Sequence, residues 1–224
     1  MLSHLLAALG GVLFPLAFSP FDLPALAPIA LGLLFSGWLH ATPAQAARQG
    51  YLFGLGQYGF GVSWIYISMH DFGGASLYEA LGLTALFTAC MALYPALAGA
   101  LAVLFFQGDR TVRRVLVFPA VWMAVEWFRG WFLSGFTWLQ VGYSQTDTLL
   151  AHFAPLLGSY GVGWMVAVLA GLAFSLRDLA GIKRYVIPCG LLLIPGTGLL
   201  LGQVHWSTPA GEPFQASLLQ GNIA

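Results

Sequence analysis

Long runs without one charged side chain constrain this chain more than any other feature. They cover Met1–Phe21, Leu23–Ala47, Gln49–His70, Ala80–Gly108, Val115–Val125, Gly130–Thr146, Thr148–Leu176 and Tyr185–Gly211. About 20 apolar residues cross a bilayer as a helix, and most of these runs are long enough. Charged residues are only 7% of 224, against about 25% in soluble domains. A soluble core of this size needs a polar shell, and the residues to build one are missing. The fold class expected is an all-α polytopic membrane helix bundle of about seven transmembrane helices.

The same composition excludes several functions. Net charge is zero and no basic patch exists, so nucleic-acid binding has no electrostatic basis. The histidines are scattered without ligand spacing, so no metal is expected. No glycine pattern matches a phosphate loop, and no cofactor is expected. Cys90 and Cys189 lie inside apolar stretches and are expected as small buried hydrophobes, with no neighbouring base to activate them.

Seven spans are expected: His4–Phe18, Leu23–His40, Tyr51–Met69, Leu77–Phe106, Val115–Phe132, Phe153–Leu176 and Tyr185–Val204. Arg48, Arg110, Arg113, Arg114, Arg177, Lys183 and Arg184 fall between spans two and three, four and five, or six and seven. Basic residues in short loops mark the cytoplasmic face. The N-terminus is therefore expected inside and the C-terminus outside. Residues 1–205 read as the membrane domain. Residues 206–224 read as a linker and the beginning of a second domain, since Phe214–Gln220 roughly alternates apolar and polar residues as a strand does. A lone strand is not stable, so the chain is expected to be a fragment of a longer protein.

Three stretches hold the chemistry-bearing residues. In Trp122–Gly130, Glu126 lies roughly 18 Å along a helix from Arg114, well inside the hydrocarbon, with Arg129 one turn further on the same face. A charge at that depth needs a partner or water. One reading is an internal pair that pins the helix end; the other is a polar cavity where Arg129 meets a lipid phosphate. Gly135–Asp147 is too broken by glycine for a span and rich in aromatic and amide side chains. Trp138 or Tyr143 alone reads as an interfacial anchor; the whole run reads better as a substrate-lining loop. Glu126, Arg129, Trp138, Tyr143 and Gln145 are the candidate substrate-binding residues, expected to line one pocket. His70-Asp71 offers a base and an orienter, although a solvated, capping pair is the plainer reading. The residues alone do not separate a lipid-handling enzyme from a transporter or a scaffold.

The order of motifs resembles the bacterial apolipoprotein N-acyltransferases. The resemblance is carried by Phe18-Ser19-Pro20-Phe21-Asp22, Gly61-Val62-Ser63-Trp64-Ile65-Tyr66, Glu126-Trp127-Phe128-Arg129-Gly130, the run Gly135–Gln145, Gly158-Ser159-Tyr160-Gly161-Val162 and Leu219-Gln220-Gly221-Asn222-Ile223. It implies a multi-pass enzyme of the Gram-negative inner membrane. Such an enzyme takes an acyl chain from a phospholipid donor onto a cysteine as a thioester. It then passes the chain to the α-amine of a diacylglyceryl apolipoprotein acceptor. The resemblance also implies that residues 206–224 are a linker and the beginning of a periplasmic nitrilase-like α/β domain, with Leu219–Ile223 in its opening strand, and that this domain holds the nucleophile. No catalytic residue of that domain is expected in this chain, and neither Cys90 nor Cys189 substitutes for it. The chain alone is expected to be inactive. A transporter or a non-catalytic lipid-binding scaffold is the alternative.

Overall fold

A computed structural model describes residues 1–208, 210–212 and 214–221. Ten α-helices run along it: α1 (Leu2–Leu13), α2 (Leu26–Trp38), α3 (Pro43–Gly61), α4 (Trp64–Ile67), α5 (Leu77–Met91), α6 (Leu93–Leu104), α7 (Arg110–Val112), α8 (Phe118–Arg129), α9 (Ala154–Phe174) and α10 (Lys183–Leu201). No strand occurs among the described residues. The all-helical architecture expected from the charge-free runs is the one observed.

Three helical stretches are long and apolar enough to cross a membrane: Leu77–Leu104, Leu149–Phe174 and Lys183–Leu201. The first is α5 and α6 end to end, interrupted at Ala92, with Pro95 unable to donate the backbone bond of an unbroken helix. Shorter apolar helices cover Leu2–Ala17 and Leu26–Trp38. Leu5, Leu9, Leu81, Leu86, Leu192 and Leu200 face outward from these elements. So does Cys90, as does Cys189. The expectation that both cysteines are buried is therefore corrected. An apolar solvent removes the penalty that would drive a thiol into the protein interior.

The core forms where α1, α2, α3, α6, α8 and α9 meet, around Phe14, Phe35, Trp38, Phe53, Phe118 and Trp122. Phe53 and Trp122 meet edge to face at 5.6 Å, and Trp38 meets Phe118 the same way. Small residues bring the helices together. A Cβ on Gly50 would run into the Pro95 carbonyl, and one on Gly11 into the Phe53 carbonyl.

The third helix differs from its expected bounds. It starts at Pro43, because Thr42 and Gln45 form a capping box, with Gln45 N–H on Thr42 Oγ1 at 3.3 Å and Thr42 N–H on Gln45 Oε1 at 2.9 Å. It ends at Gly61. Tyr66 lies in the separate short α4, and Ser68–Phe72 form a π turn. The alternation in Phe214–Gln220 does not produce a strand in the described part of the chain, since a strand needs a partner to hydrogen-bond. Asn222 and Ile223 of the last motif lie outside the described residues.

Basic side chains at the end opposite the candidate site also hold the helices together. Arg113 donates to the Leu39 carbonyl at 3.1 Å. Arg114 donates to Asp178 at 2.6 Å, to Ser175 Oγ at 3.3 Å and to the Phe174 carbonyl at 3.2 Å. These bonds join the start of α8 to the ends of α2 and α9.

Candidate functional site

The site begins with one turn of α8. Glu126 and Arg129 are three residues apart, so their side chains meet, with Nη2 to Oε1 at 3.4 Å. They are 5% and 3% exposed. Buried charges need further hydrogen bonds, and the loop after α8 supplies them. Arg129 Nη1 donates to the Phe136 carbonyl at 2.6 Å and the Trp138 carbonyl at 2.8 Å. Glu126 Oε1 accepts the Val141 N–H at 3.0 Å. The guanidinium lies 5.8 Å from the centre of the Tyr58 ring.

This clamp holds a backbone that would not persist by itself. Leu133, Ser134 and Leu139 have φ of 50°, 76° and 58°, a left-handed region that costs non-glycine residues about 1–3 kcal/mol each. Leu139 sits between the Trp138 carbonyl and the Val141 N–H, the two groups held by Arg129 and Glu126. Gly142 follows, where a Cβ would run into the Ser159 carbonyl of α9. Only glycine allows that approach.

The five candidate residues divide into two sets. Trp138 and Tyr143 are 53% and 51% exposed. Both line a cleft of about 480 Å³ with Phe18, Ser19, Gly61 and Trp64. Trp138 stacks on Phe136 at 5.4 Å and meets Trp64 at 5.7 Å. Tyr143 also borders a second, more polar cleft of about 610 Å³ with Asp22, Ser144, Asp147 and Thr148. Glu126 and Arg129 lie behind the loop and line a small cavity of about 10 Å³. Gln145 is 5% exposed, and its Nε2 donates to the Pro24 carbonyl at 3.1 Å and to Ser144 Oγ at 2.9 Å. Gln145 thus ties the loop to the turn that follows the first helix. The single pocket expected for all five is replaced by an outer cleft with three buried residues supporting its wall. The reason is local: the loop's own carbonyls satisfy Arg129 before any ligand does.

Beside this cleft runs an apolar groove of about 650 Å³ between α5–α6 and the chain after α8, lined by Phe87, Leu93, Leu97, Phe128, Phe132 and Phe136. Phe136 belongs to its wall and also stacks on Trp138 of the cleft, so the two spaces share a border. His70 Nδ1 bonds the Ala75 carbonyl at 2.9 Å and its ring stacks on Tyr66 at 5.4 Å. No His70–Asp71 hydrogen bond occurs among the described residues, and the cap of the next helix is Ser76 with Glu79. No group of three or more His, Cys, Asp or Glu side chains that could hold a metal ion occurs among them either.

Sequence reasoning missed Gln57 and Tyr58. Gln57 and Tyr58 are buried beside the clamp and line its small cavity. An amide within the apolar stretch Gly54–Gly61 was the available signal for Gln57. Trp64 lies in the Gly61–Tyr66 motif, which the sequence singled out without giving Trp64 a role.

A family model for the apolipoprotein N-acyltransferase N-terminal domain matches residues 10–172. That interval contains the clamp, the loop and both clefts. An apolipoprotein N-acyltransferase of Methylococcus capsulatus is 52% identical over 225 residues, covering 100% of this chain and 44% of the relative. Enzymes of the same name from Azotobacter vinelandii and Coxiella burnetii are 42% and 36% identical, over 98% and 99% of this chain and 43% and 46% of theirs. The chain therefore spans less than half the length of these curated relatives. From the matched domain and from identity along its whole length, the chain belongs to the apolipoprotein N-acyltransferase family and carries that family's N-terminal domain.

Proposed function

We propose that this chain is the membrane part of an enzyme that moves an acyl chain from a phospholipid to the N-terminal amine of a diacylglyceryl apolipoprotein. The observation that carries the reading is the loop Phe136–Tyr143, held from behind by Glu126 and Arg129. It presents Trp138 and Tyr143 to an open cleft and Phe136 to the neighbouring apolar groove. A phospholipid has those two demands: a polar cleft for its headgroup and an apolar channel for its chains. In this reading Trp138 and Tyr143 touch the donor. Glu126, Arg129 and Gln145 are positioning residues that act through the loop.

The membrane arrangement belongs to the same proposal. Seven spans, with the N-terminus cytoplasmic and Gly211 periplasmic, follow from the basic residues at Arg110–Arg114 and Arg177–Arg184. The setting is the inner membrane of a Gram-negative bacterium. The domain boundary falls near 205, and residues 206–224 lead into the nitrilase-like domain, where Phe214–Gln220 becomes a strand only when its sheet partners are present. Covalent transfer needs a nucleophile with a base beside it. Cys90 and Cys189 face lipid with no such base, so catalysis is assigned to the other domain.

A photoreactive phospholipid tests the contact. In membranes, cross-links to Trp138 and Tyr143 that unlabelled phospholipid competes away are expected. Cross-links spread evenly over outward-facing aromatic residues such as Trp127 and Trp131, and absent from Trp138, would contradict the reading.

A further inference from the structure

Behind the clamp, the cavity of about 10 Å³ is lined by Gln57 and Tyr58 of α3, Trp122, Glu126 and Arg129 of α8, and Tyr94 of α6. Three of these residues carry buried polar atoms without a protein partner: Gln57 Oε1, Trp122 Nε1 and Glu126 Oε2. They are 1%, 4% and 5% exposed. Buried polar atoms are almost always satisfied, and one orphan costs about 1–3 kcal/mol. The three orphans belong to residues that line one cavity.

We propose that this cavity is a binding site for one structural water molecule, which joins α3 to α8 beneath the clamp. The three orphan atoms fit water in number and in kind. The indole N–H is a donor, and the two oxygens are acceptors. A water molecule accepts one hydrogen bond from Trp122 and donates one each to Gln57 and Glu126. Reversing the Gln57 amide leaves the count satisfied, since the water then accepts twice and donates once. A cavity of about 10–15 Å³ holds one water, and such a water makes two to four hydrogen bonds. Other small occupants fit poorly. A cation would face the Arg129 guanidinium and an N–H donor. An anion would face the Glu126 carboxylate.

The water completes the support of the outer loop. Glu126 Oε1 already accepts Arg129 and Val141 N–H. Its Oε2 is then fixed from the opposite side, through water, by helices α3 and α8. The rotamer of Glu126 is held at both oxygens, and with it the Val141 end of the loop. This inference does not depend on acyl transfer.

Two measurements on the protein in detergent or nanodiscs test it. A structure at a resolution that shows ordered waters is expected to place one within hydrogen-bond distance of Trp122 Nε1, Gln57 and Glu126 Oε2. Gln57→Met keeps the side-chain shape and removes the polar group. If water satisfies Gln57, the substitution is expected to lower Tm by about 2–4 °C, as a loss of one hydrogen bond does in a domain of this size. If the cavity is dry, Gln57→Met removes an unsatisfied group and leaves Tm unchanged or raised. Absence of the water density, or a Tm that does not fall, overturns the proposal. If Gln57→Met does not fold, the wild-type density alone decides.

Discussion

Arg129 works through the carbonyls it holds. At 3% exposure, with Nη1 shared between Phe136 and Trp138 and Nη2 on Glu126, it is turned to acceptors of the protein itself. Removing one member of a buried charge pair costs about 3–5 kcal/mol. Arg129→Ala is therefore expected to lower thermal stability by that order and to release the loop to proteolysis. Arg129→Lys cannot reproduce the fork, because one ammonium replaces two nitrogens pointing at different partners. It is expected to retain some stability, falling between wild type and Arg129→Ala in a thermal melt. Identical melts for wild type and Arg129→Ala would show that the clamp contributes nothing. The pairing of Glu126 with Arg129 was legible in the sequence, because the i,i+3 spacing fixes it. The bonds to Phe136, Trp138 and Val141 were not. They depend on left-handed φ at Leu133, Ser134 and Leu139, positions where residue type gives no warning.

The elements are set by caps and by small residues more than by hydrophobic length. The third helix shows this. The charge-free run placed it at Tyr51–Met69, while the Thr42–Gln45 capping box starts it at Pro43 and so places Arg48 inside it. Cap motifs were readable there, but the weight given to apolar runs hid them. The ion pairs between elements differ in strength for a physical reason. Arg114 is buried and bonded to Asp178, Ser175 and Phe174. Bonds to a charged group are worth about 1.5–3 kcal/mol. Arg114→Ala is expected to destabilise by roughly that amount, read as a shift in the thermal midpoint. The pair between Lys183 and Asp109 at 2.6 Å is exposed and joins the start of α10 to the loop before α7. The Lys183 hydrogen bond, with help from the Val112 and Thr111 N–H groups, holds the Asp109 carboxyl below its ordinary range. A depressed folded pKa adds stability above the unfolded pKa and loses it as pH falls through the folded value. The α7–α10 tie is therefore expected to stay intact at neutral pH and to open only under acid, below about pH 4. Amide exchange at Thr111 and Val112 that is already fast at neutral pH would contradict this.

At the scale of the whole molecule, the helical class was legible because lipid leaves the backbone few options. The number of crossings was less so. Three stretches meet the length and hydropathy of a span outright; α1, α2 and α8 are shorter, and α3, at 19 residues, is less apolar. The helices α1, α2 and α3 pack on one another around Phe14, Phe35 and Phe53. Labelling cysteines placed at Arg110 and Gly211, both exposed, with a membrane-impermeant reagent is expected to report opposite sides of the bilayer. Both on one side would overturn the seven-span arrangement. The division between the face that touches lipid and the residues that support it is tested most directly by acyl-enzyme formation. This domain would be placed in a full-length family member, and Trp138→Ala compared with wild type for folded yield, Tm and rate of acyl-enzyme formation from labelled phospholipid. Trp138 is half exposed, so normal yield and a Tm within a few degrees of wild type are expected. Acyl-enzyme formation is expected to slow by about tenfold or more, since small misplacements of a substrate cost up to about 10²-fold. A wild-type rate with Trp138→Ala would contradict the assignment of this cleft to the donor.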